Sequence, residues 1–165
     1  MLDIDIKAAA EEKLGKTLDQ NLLAVVFDYE GNLWFATGGF RIYPDRQQQG
    51  AIGYISRTAI DAILNGEETN LSDAVFVQEL TPGEGAENGI AASADGAVIL
   101  TNHNCYLLQA DEGVKVAWST PYESIGAKES KEGDETTGGG LAWGSGCSPS
   151  LTKDLVMFTD NQDPV

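Results

Sequence analysis

Polar residues with oxygen-bearing side chains follow or precede apolar stretches at three places in this chain. Glu87 and Asn88 precede one such stretch, Asn102 ends it, and Asp160 and Asn161 close a later one. Carboxylate and amide oxygens are the ligands that hard cations such as calcium prefer. We therefore take these five as candidate ligand-binding residues, and Asn88, Asn102 and Asp160 among them as a candidate calcium set.

A second interpretation explains the same residues without a ligand. Asn and Asp side chains bond their own backbone in turns, and the spacing here is not that of an EF-hand. His103, the only histidine, lies between Asn102 and Asn104. A histidine titrates near neutral pH and can act as a general base, but polar neighbours on both sides also fit a plain loop residue. Both interpretations stay open from the sequence.

The elements that must position these residues form a repeat. Residues 23–37, 89–102 and 150–160 each consist of a short apolar stretch, a polar turn and a second apolar stretch that ends in a small or polar residue. Asp-Gly and Gly-Asn pairs in the first two turns indicate hairpins, because these residues tolerate positive φ. The pattern predicts three β-hairpins spaced roughly 60 residues apart along the chain.

Aligning the second stretch of each hairpin puts Thr37, Asn102 and Asp160 at matched positions. In a structure built from such repeats, matched positions lie at equal radius around one axis, so that their side chains can converge on one small ligand. A carboxylate and an amide suit a cation or a sugar-like hydroxyl group, and we expect a site, if there is one, at these strand ends.

Further predicted strands and helices divide the chain into repeats and connecting segments. Further strands are predicted at 51–57, 74–80, 106–110 and 114–118, which gives the first two repeats four antiparallel strands each. Short helices are predicted at 8–14 and 58–65, the second with Thr58 as its N-cap. The predicted division is an N-terminal segment at 1–20, a first repeat at 21–82 with a helical insertion, a second repeat at 83–127, a mobile loop at 128–140 and half of a third repeat at 141–165.

The charge of the chain limits its partners. Ten Lys and Arg residues face 26 Asp and Glu residues, for a net charge of −16. A surface of this sign repels polyanions, so nucleic acid is not an expected partner. The apolar runs are too short to predict a membrane span. Two cysteines without a CxxC spacing indicate two buried free thiols rather than a disulfide scaffold or a metal pair.

Several motifs together resemble the repeats of known β-propellers. Residues 106–118 are similar to the repeat of quinoprotein-type (PQQ-like) propellers, and residues 146–151 resemble the start of the next blade in those proteins. Residues 87–91 are similar to the Asn-Gly start of a blade in gluconolactonase-like (SMP-30-type) propellers, although the usual preceding Pro is absent. Residues 31–37 resemble the sensor-propeller repeat of two-component regulators. The motifs indicate the propeller class rather than one of its families.

The resemblance implies an all-β fold, a β-propeller with blades of four antiparallel strands, of which this chain would hold about two and a half. Leu2, Ile4 and Ile6 alternate with acidic residues and would then form an outer strand of a preceding blade. Trp34, Trp118 and Trp143 are expected to pack between blades. An incomplete ring leaves two open apolar faces, to be covered by the remaining blades of a longer chain or by a second copy.

Two functions follow from the resemblance. The first is a non-catalytic ligand-binding or scaffold module. The alternative is a calcium-dependent hydrolase or lactonase of the gluconolactonase-like type, in which Asn88 would be a calcium ligand. A PQQ site is not evident from the residues. The resemblance also implies a periplasmic or extracellular location, although the first residues do not read as a signal peptide.

Overall fold

The computed structural model describes residues 4–39, 49–67, 69–124 and 144–159. Of the described residues, 44% lie in strands and 17% in helices, and most of the strands belong to one curled sheet. The elements, in chain order, are α1 Ile6–Leu14, β1 Asn21–Phe27, β2 Leu33–Gly38, β3 Ala51–Ile55, α2 Arg57–Leu64, α3 Leu71–Ala74, β4 Val75–Glu79, β5 Ala86–Ser93, β6 Gly96–Thr101, β7 Asn104–Ala110, β8 Val114–Pro121, β9 Ser150–Leu151 and β10 Val156–Met157.

The eight-stranded sheet consists of two four-stranded meanders. Strands β1 to β4 form the first unit and β5 to β8 the second, and each strand pairs antiparallel with its neighbour in sequence. A single parallel pair, Gly38 with Ala86, joins the two units. Strands β9 and β10 form a separate antiparallel hairpin. The strands predicted from the repeat are therefore all present, with bounds that differ by a few residues.

The turn between β1 and β2 shows why the sequence folds locally as it does. One carboxylate oxygen of Asp28 accepts from the backbone N–H groups of Glu30 and Asn32 at 3.0 and 2.8 Å. The other accepts from the Asn32 amide at 2.9 Å and from the Trp34 indole at 2.8 Å. Gly31 has a φ of 89°, which closes the turn and favours glycine.

Three apolar clusters hold the layers together. One lies between the first unit and the helices, and includes Phe35 and Ile55. A second lies between the two units and is centred on Trp34, Ile99 and Leu108. The third joins the outer face of the second unit to the β9–β10 hairpin. Successive units thus share apolar clusters, which join each unit to the next.

Helices cover one of the two faces that we expected to be open. Ile6, Ala9 and Ala10 of α1 and Ile60 of α2 are buried against the first unit. The helices leave part of β1 uncovered, since Phe27 remains 55% exposed. The expectation that further blades or a second copy cover the open faces stays a prediction.

The helix starts differ from those predicted. Ile6 begins α1, so the described part of the alternating stretch at 2–6 is not a strand; the Asp5 carboxylate accepts from the Ala8 N–H at 2.9 Å and caps the helix. The N-cap of α2 is Ser56 rather than Thr58, because Ser56 directly follows β3 and its hydroxyl accepts from the Ala59 N–H. Within the described ranges, no helix is long and apolar enough to cross a membrane.

The tryptophans differ in their surroundings. Trp34 is fully buried between the two units, as expected for a residue that packs one repeat on the next. Trp118 lies on the outermost strand of the second unit and keeps 38% of its surface exposed. Residue Trp143 lies outside the described residues.

Candidate functional site

The candidate residues Glu87, Asn88 and Asn102 come together where the second unit begins. Glu87 and Asn88 are the second and third residues of β5, and Asn102 follows the last residue of β6. Since β5 and β6 are antiparallel neighbours, the start of one lies beside the end of the other. Segments 81–85 and 144–148 close over this end of the sheet. We call these three residues and the two segments the strand-end junction.

Glu87 and Asn88 tie β5 to the segment that leads into the third hairpin. The Glu87 carboxylate, nine-tenths buried, accepts from the Gly144 N–H at 2.7 Å. The Asn88 amide donates to the Ser145 carbonyl at 2.7 Å. Next to them, the Gly89 N–H donates to the Ser148 hydroxyl at 3.0 Å. Their side chains therefore bridge parts of the chain that are 57 residues apart.

Asn102 is tied to the connection between the two units. It is almost fully buried, its side-chain oxygen accepts from the Gly85 N–H at 3.0 Å, and its amide donates to the Gly83 carbonyl at 3.0 Å. Its own backbone N–H donates to the Gly85 carbonyl at 3.1 Å. The Asn102 side chain therefore bonds to backbone 17 and 19 residues away, whereas the second interpretation placed such bonds within its own turn.

Glu84 is a buried acid that the sequence did not single out. It has no exposed surface, and its carboxylate accepts from four side chains. Thr81 and Thr101 donate through their hydroxyls at 2.6 and 2.5 Å, the Asn104 amide donates at 3.0 Å and the Tyr106 hydroxyl at 2.8 Å. In the sequence Glu84 stands between two glycines in a loop, a pattern that indicates an exposed turn. Only the fold brings its distant donors together.

These donors decide the charge of Glu84. Burial raises the pKa of its carboxyl, but the hydrogen bonds from Thr101, Thr81, Asn104 and Tyr106 outweigh burial and hold the pKa below its usual value. Burial and the neighbouring carboxylate also raise the pKa of the Tyr106 hydroxyl, so that it remains a donor. The network therefore stabilises an ionised carboxylate with neutral donors.

Tyr122 links the junction to the end of β8. Its hydroxyl donates to the Thr101 carbonyl and accepts from the Ser145 N–H at 2.8 Å. Burial raises the pKa of Tyr122 to about 12. Close by, the Ser124 hydroxyl donates to the Asn102 carbonyl at 2.5 Å. Neither residue carried a sequence signal, because both follow the last strand of the second unit in an irregular stretch.

The remaining candidates have different surroundings. His103 is half-buried in the turn between β6 and β7. Its backbone N–H donates to the Thr101 hydroxyl at 3.1 Å, and its backbone carbonyl accepts from the Tyr122 backbone N–H. Thr37 is buried, and its hydroxyl accepts from the Ala51 N–H at 2.7 Å. Asp160 and Asn161 lie outside the described residues.

In the part of the chain that the structure describes, no group of three or more His, Cys, Asp or Glu side chains is arranged to hold a metal ion. The calcium set proposed from sequence rests on two asparagines, whose amides bond to backbone as described, and on Asp160. A shared calcium site at the strand ends therefore stays a prediction.

A cavity of about 260 Å³ opens at the opposite end of the sheet, where the hairpin turns lie. Asp28, Tyr29, Asp95, Gln109 and Asp111 are among its lining residues. Asp28 uses both carboxylate oxygens in its own turn, and Asp111 forms an ion pair with Lys115 at 3.1 Å. These two acidic groups already have partners within the fold.

Both cysteines are free thiols, as predicted, but only Cys105 is buried. Cys105 is buried in the cluster beneath the third hairpin, and burial raises its pKa to about 11. Cys147 is only half-buried; burial raises its pKa, but hydrogen bonds from Ser145 and Thr159 outweigh it and lower the pKa below the usual value. A thiol as buried as Cys105 is a packing residue.

No protein-family model, curated protein or solved structure matches this chain.

Proposed function

We propose that this chain is part of a β-propeller that serves as a non-catalytic ligand-binding or scaffold module. Its two four-stranded meanders would be consecutive blades, and the β9–β10 hairpin would be the first half of a third. The order of the pairing supports this, because every strand of a blade pairs with its sequence neighbour in a propeller.

The packing supports the same assignment. Strand β5 contacts β1 on one side and β9 on the other, so the first strands of successive units are neighbours. Apolar clusters lie between the first and second units and between the second unit and the third hairpin. Blades of a propeller pack face to face around their first strands in this way.

The observation that carries the scaffold function is the use of the candidate side chains at the strand-end junction. Asn102 bonds to Gly83 and Gly85, Asn88 bonds to Ser145, and Glu87 bonds to Gly144. Each of these groups connects one unit to the chain that enters or leaves it. Asn102 uses both polar atoms of its side chain on backbone groups, and Glu87 and Asn88 use at least one each, which suits residues that hold repeats in register.

Calcium titration of the full chain and of two variants at one position tests this proposal. Asn102→Ala removes both side-chain bonds, whereas Asn102→Asp keeps the oxygen that accepts from Gly85 and replaces the donor to Gly83 with an acceptor. A carboxylate is also a stronger calcium ligand than an amide. For a scaffold role, we expect both variants to lower the melting temperature, with no response to millimolar calcium in any of the three proteins.

A calcium-dependent activity gives the opposite pattern. The melting temperature of the unmodified chain would rise with calcium, Asn88→Ala and Asn102→Ala would abolish the rise, and Asn102→Asp would keep it. That result would overturn the scaffold proposal and favour the hydrolase alternative. Ser148→Ala serves as a matched control, because it removes one bond to the same strand without changing a candidate ligand.

A further inference from the structure

The chain contains two Asn-Gly pairs in contrasting surroundings, Asn65-Gly66 and Asn88-Gly89. In such a pair the backbone nitrogen of glycine can attack the side-chain carbonyl carbon of asparagine, since glycine has no Cβ to hinder the approach. The rate depends on whether the local backbone and the side-chain amide are free to reach the geometry of attack. The structure allows the two pairs to be compared.

Asn65 lies at the C-terminal end of α2, where both it and Gly66 are exposed. Its side-chain amide has no hydrogen bond to any residue in the described ranges. The Gly66 N–H donates to the Ile63 carbonyl at 3.1 Å and the Glu67 N–H donates to the Ala62 carbonyl at 2.9 Å, so that two hydrogen bonds close an exposed helix end, where fraying costs least. Apart from its chain neighbours, no heavy atom lies within 4 Å of the position that a Cβ on Gly66 would occupy, so the turn has room to rearrange.

In the second pair, hydrogen bonds hold both the Asn88 side-chain amide and the Gly89 backbone N–H. Its amide donates to the Ser145 carbonyl at 2.7 Å, and the Gly89 N–H donates to the Ser148 hydroxyl at 3.0 Å. A Cβ on Gly89 would lie 2.6 Å from that hydroxyl, which shows how closely the two segments pack. Attack at Asn88 therefore requires segment 144–148 to separate from β5.

From this contrast we infer that Asn65 is a site of spontaneous deamidation in the folded protein and that Asn88 is protected. The Gly66 nitrogen forms a bond to the Asn65 side-chain carbonyl carbon and loses its proton, the carbon–nitrogen bond of the amide breaks, and ammonia leaves. Water then opens the resulting five-membered imide at either carbonyl. The products are aspartate and isoaspartate at position 65.

Deamidation of Asn65 affects helix α2, which ends at the preceding residue. A new carboxylate at the C-terminal end of α2 faces the negative end of the helix dipole, and isoaspartate adds a methylene to the backbone. Asp61 and Glu67 already carry negative charge within four residues of this position. Ala59 and Ile60 of α2 are buried against the first unit, so deamidation loosens part of its helical cover.

The experiment compares the two sites within one sample. The full chain is incubated at mildly alkaline pH, folded or in denaturing urea, and its peptides are analysed by mass spectrometry and by isoaspartate-specific methylation. In the folded protein we expect Asn65 to convert at least about tenfold faster than Asn88, because one site needs local fraying and the other needs a wider opening. In urea the two rates should become similar.

Two variants test the contrast between Asn65 and Asn88 further. Asn65→Ser should remove the folded-state signal, and Ser148→Ala should speed conversion at Asn88 by releasing the Gly89 N–H. Equal rates at the two sites in the folded protein would overturn the inference. So would an Asn65 that converts in urea and stays intact in the folded chain over the same period.

Discussion

At the scale of single residues, Glu84 is a fully buried acid held by four side-chain donors. Its carboxylate has no exposed surface and is ionised without a cation beside it in the described residues, held by hydroxyl and amide donors. A buried acceptor of this kind stabilises the fold only while all its donors are present. The stability of the strand-end junction therefore depends on the ionised carboxylate of Glu84.

Replacing Glu84 with Gln tests that dependence. The new amide group would turn a donor toward Thr81 or toward Thr101, Asn104 and Tyr106, which are donors themselves. We expect Glu84→Gln to lower the free energy of unfolding by about 1–3 kcal/mol, the range for leaving buried polar groups unsatisfied. Tyr106→Phe is the matched control; it removes one donor from the same carboxylate and should cost about 1 kcal/mol. A loss for Glu84→Gln no larger than that of Tyr106→Phe would contradict this account.

The pH dependence of stability gives a separate prediction for Glu84. The folded pKa is lower than the usual value, so its contribution is complete above the pKa of about 4.3 that glutamate has in an unfolded chain. The contribution is lost as the pH falls through the folded pKa. Urea unfolding from pH 7 down to pH 3 should show the unmodified chain losing more stability than Glu84→Gln. Parallel pH curves for the two proteins would show that folding does not shift the pKa of Glu84, and a relative gain in stability of the unmodified chain at low pH would show that its pKa is raised.

At the scale of elements, equivalent turns of the two units differ in what their aspartates do. Asp28 organises the β1–β2 turn through four hydrogen bonds, including the one to the Trp34 indole. Asp95, in the β5–β6 turn, is exposed, and its carboxylate has no hydrogen bond to a residue in the described ranges. Asp28 thus closes its turn through its side chain. Asp95 contributes only its position before Gly96, which has a φ of 134°.

This difference predicts unequal effects of the same substitution. Asp28→Asn puts an amide donor against the donors of Asn32 and Trp34, and we expect it to lower the free energy of unfolding by about 1–2 kcal/mol. Asp95→Asn should change it by no more than about 0.5 kcal/mol, as at other exposed positions. Denaturant unfolding of both variants measures the difference. Equal losses would mean that the Asp28 bonds add nothing beyond those of an ordinary turn residue.

Elements also show what could be predicted from the sequence. The hairpins were found because alternation, turn residues and apolar runs are local signals, and β2, β6 and their partners follow them closely. The helix caps were harder: Ser56 acts in place of Thr58 because the end of β3 fixes where α2 starts. Glu84 and Tyr122 could not be predicted, since their roles depend on contacts between segments roughly 20 residues apart that only the folded sheet creates.

At the scale of the whole molecule, apolar surface remains at both ends of the stack of units. Val25 and Phe27 on β1 are 50% and 55% exposed, because the helices that cover the first unit stop short of this strand. At the other end Trp118 on β8 and Met157 on β10 are 38% and 49% exposed. The net charge of −16 opposes contact between copies, so attraction through these faces competes with electrostatic repulsion.

This competition leads to a prediction for the purified chain. We expect it to bind a hydrophobic dye and to self-associate, with association increasing as added salt screens the repulsion; at 0.1 M salt the Debye length is only about 10 Å. Phe27→Ser and Trp118→Ser should each reduce dye binding, because each removes apolar surface from one end. Leu64→Ser is the control: Leu64 is 68% exposed, but it lies at the end of α2 and not on an open sheet face. Light scattering and dye fluorescence over a salt series measure association and dye binding. A compact monomer that binds no dye at any salt concentration would show that the two ends do not act as apolar faces.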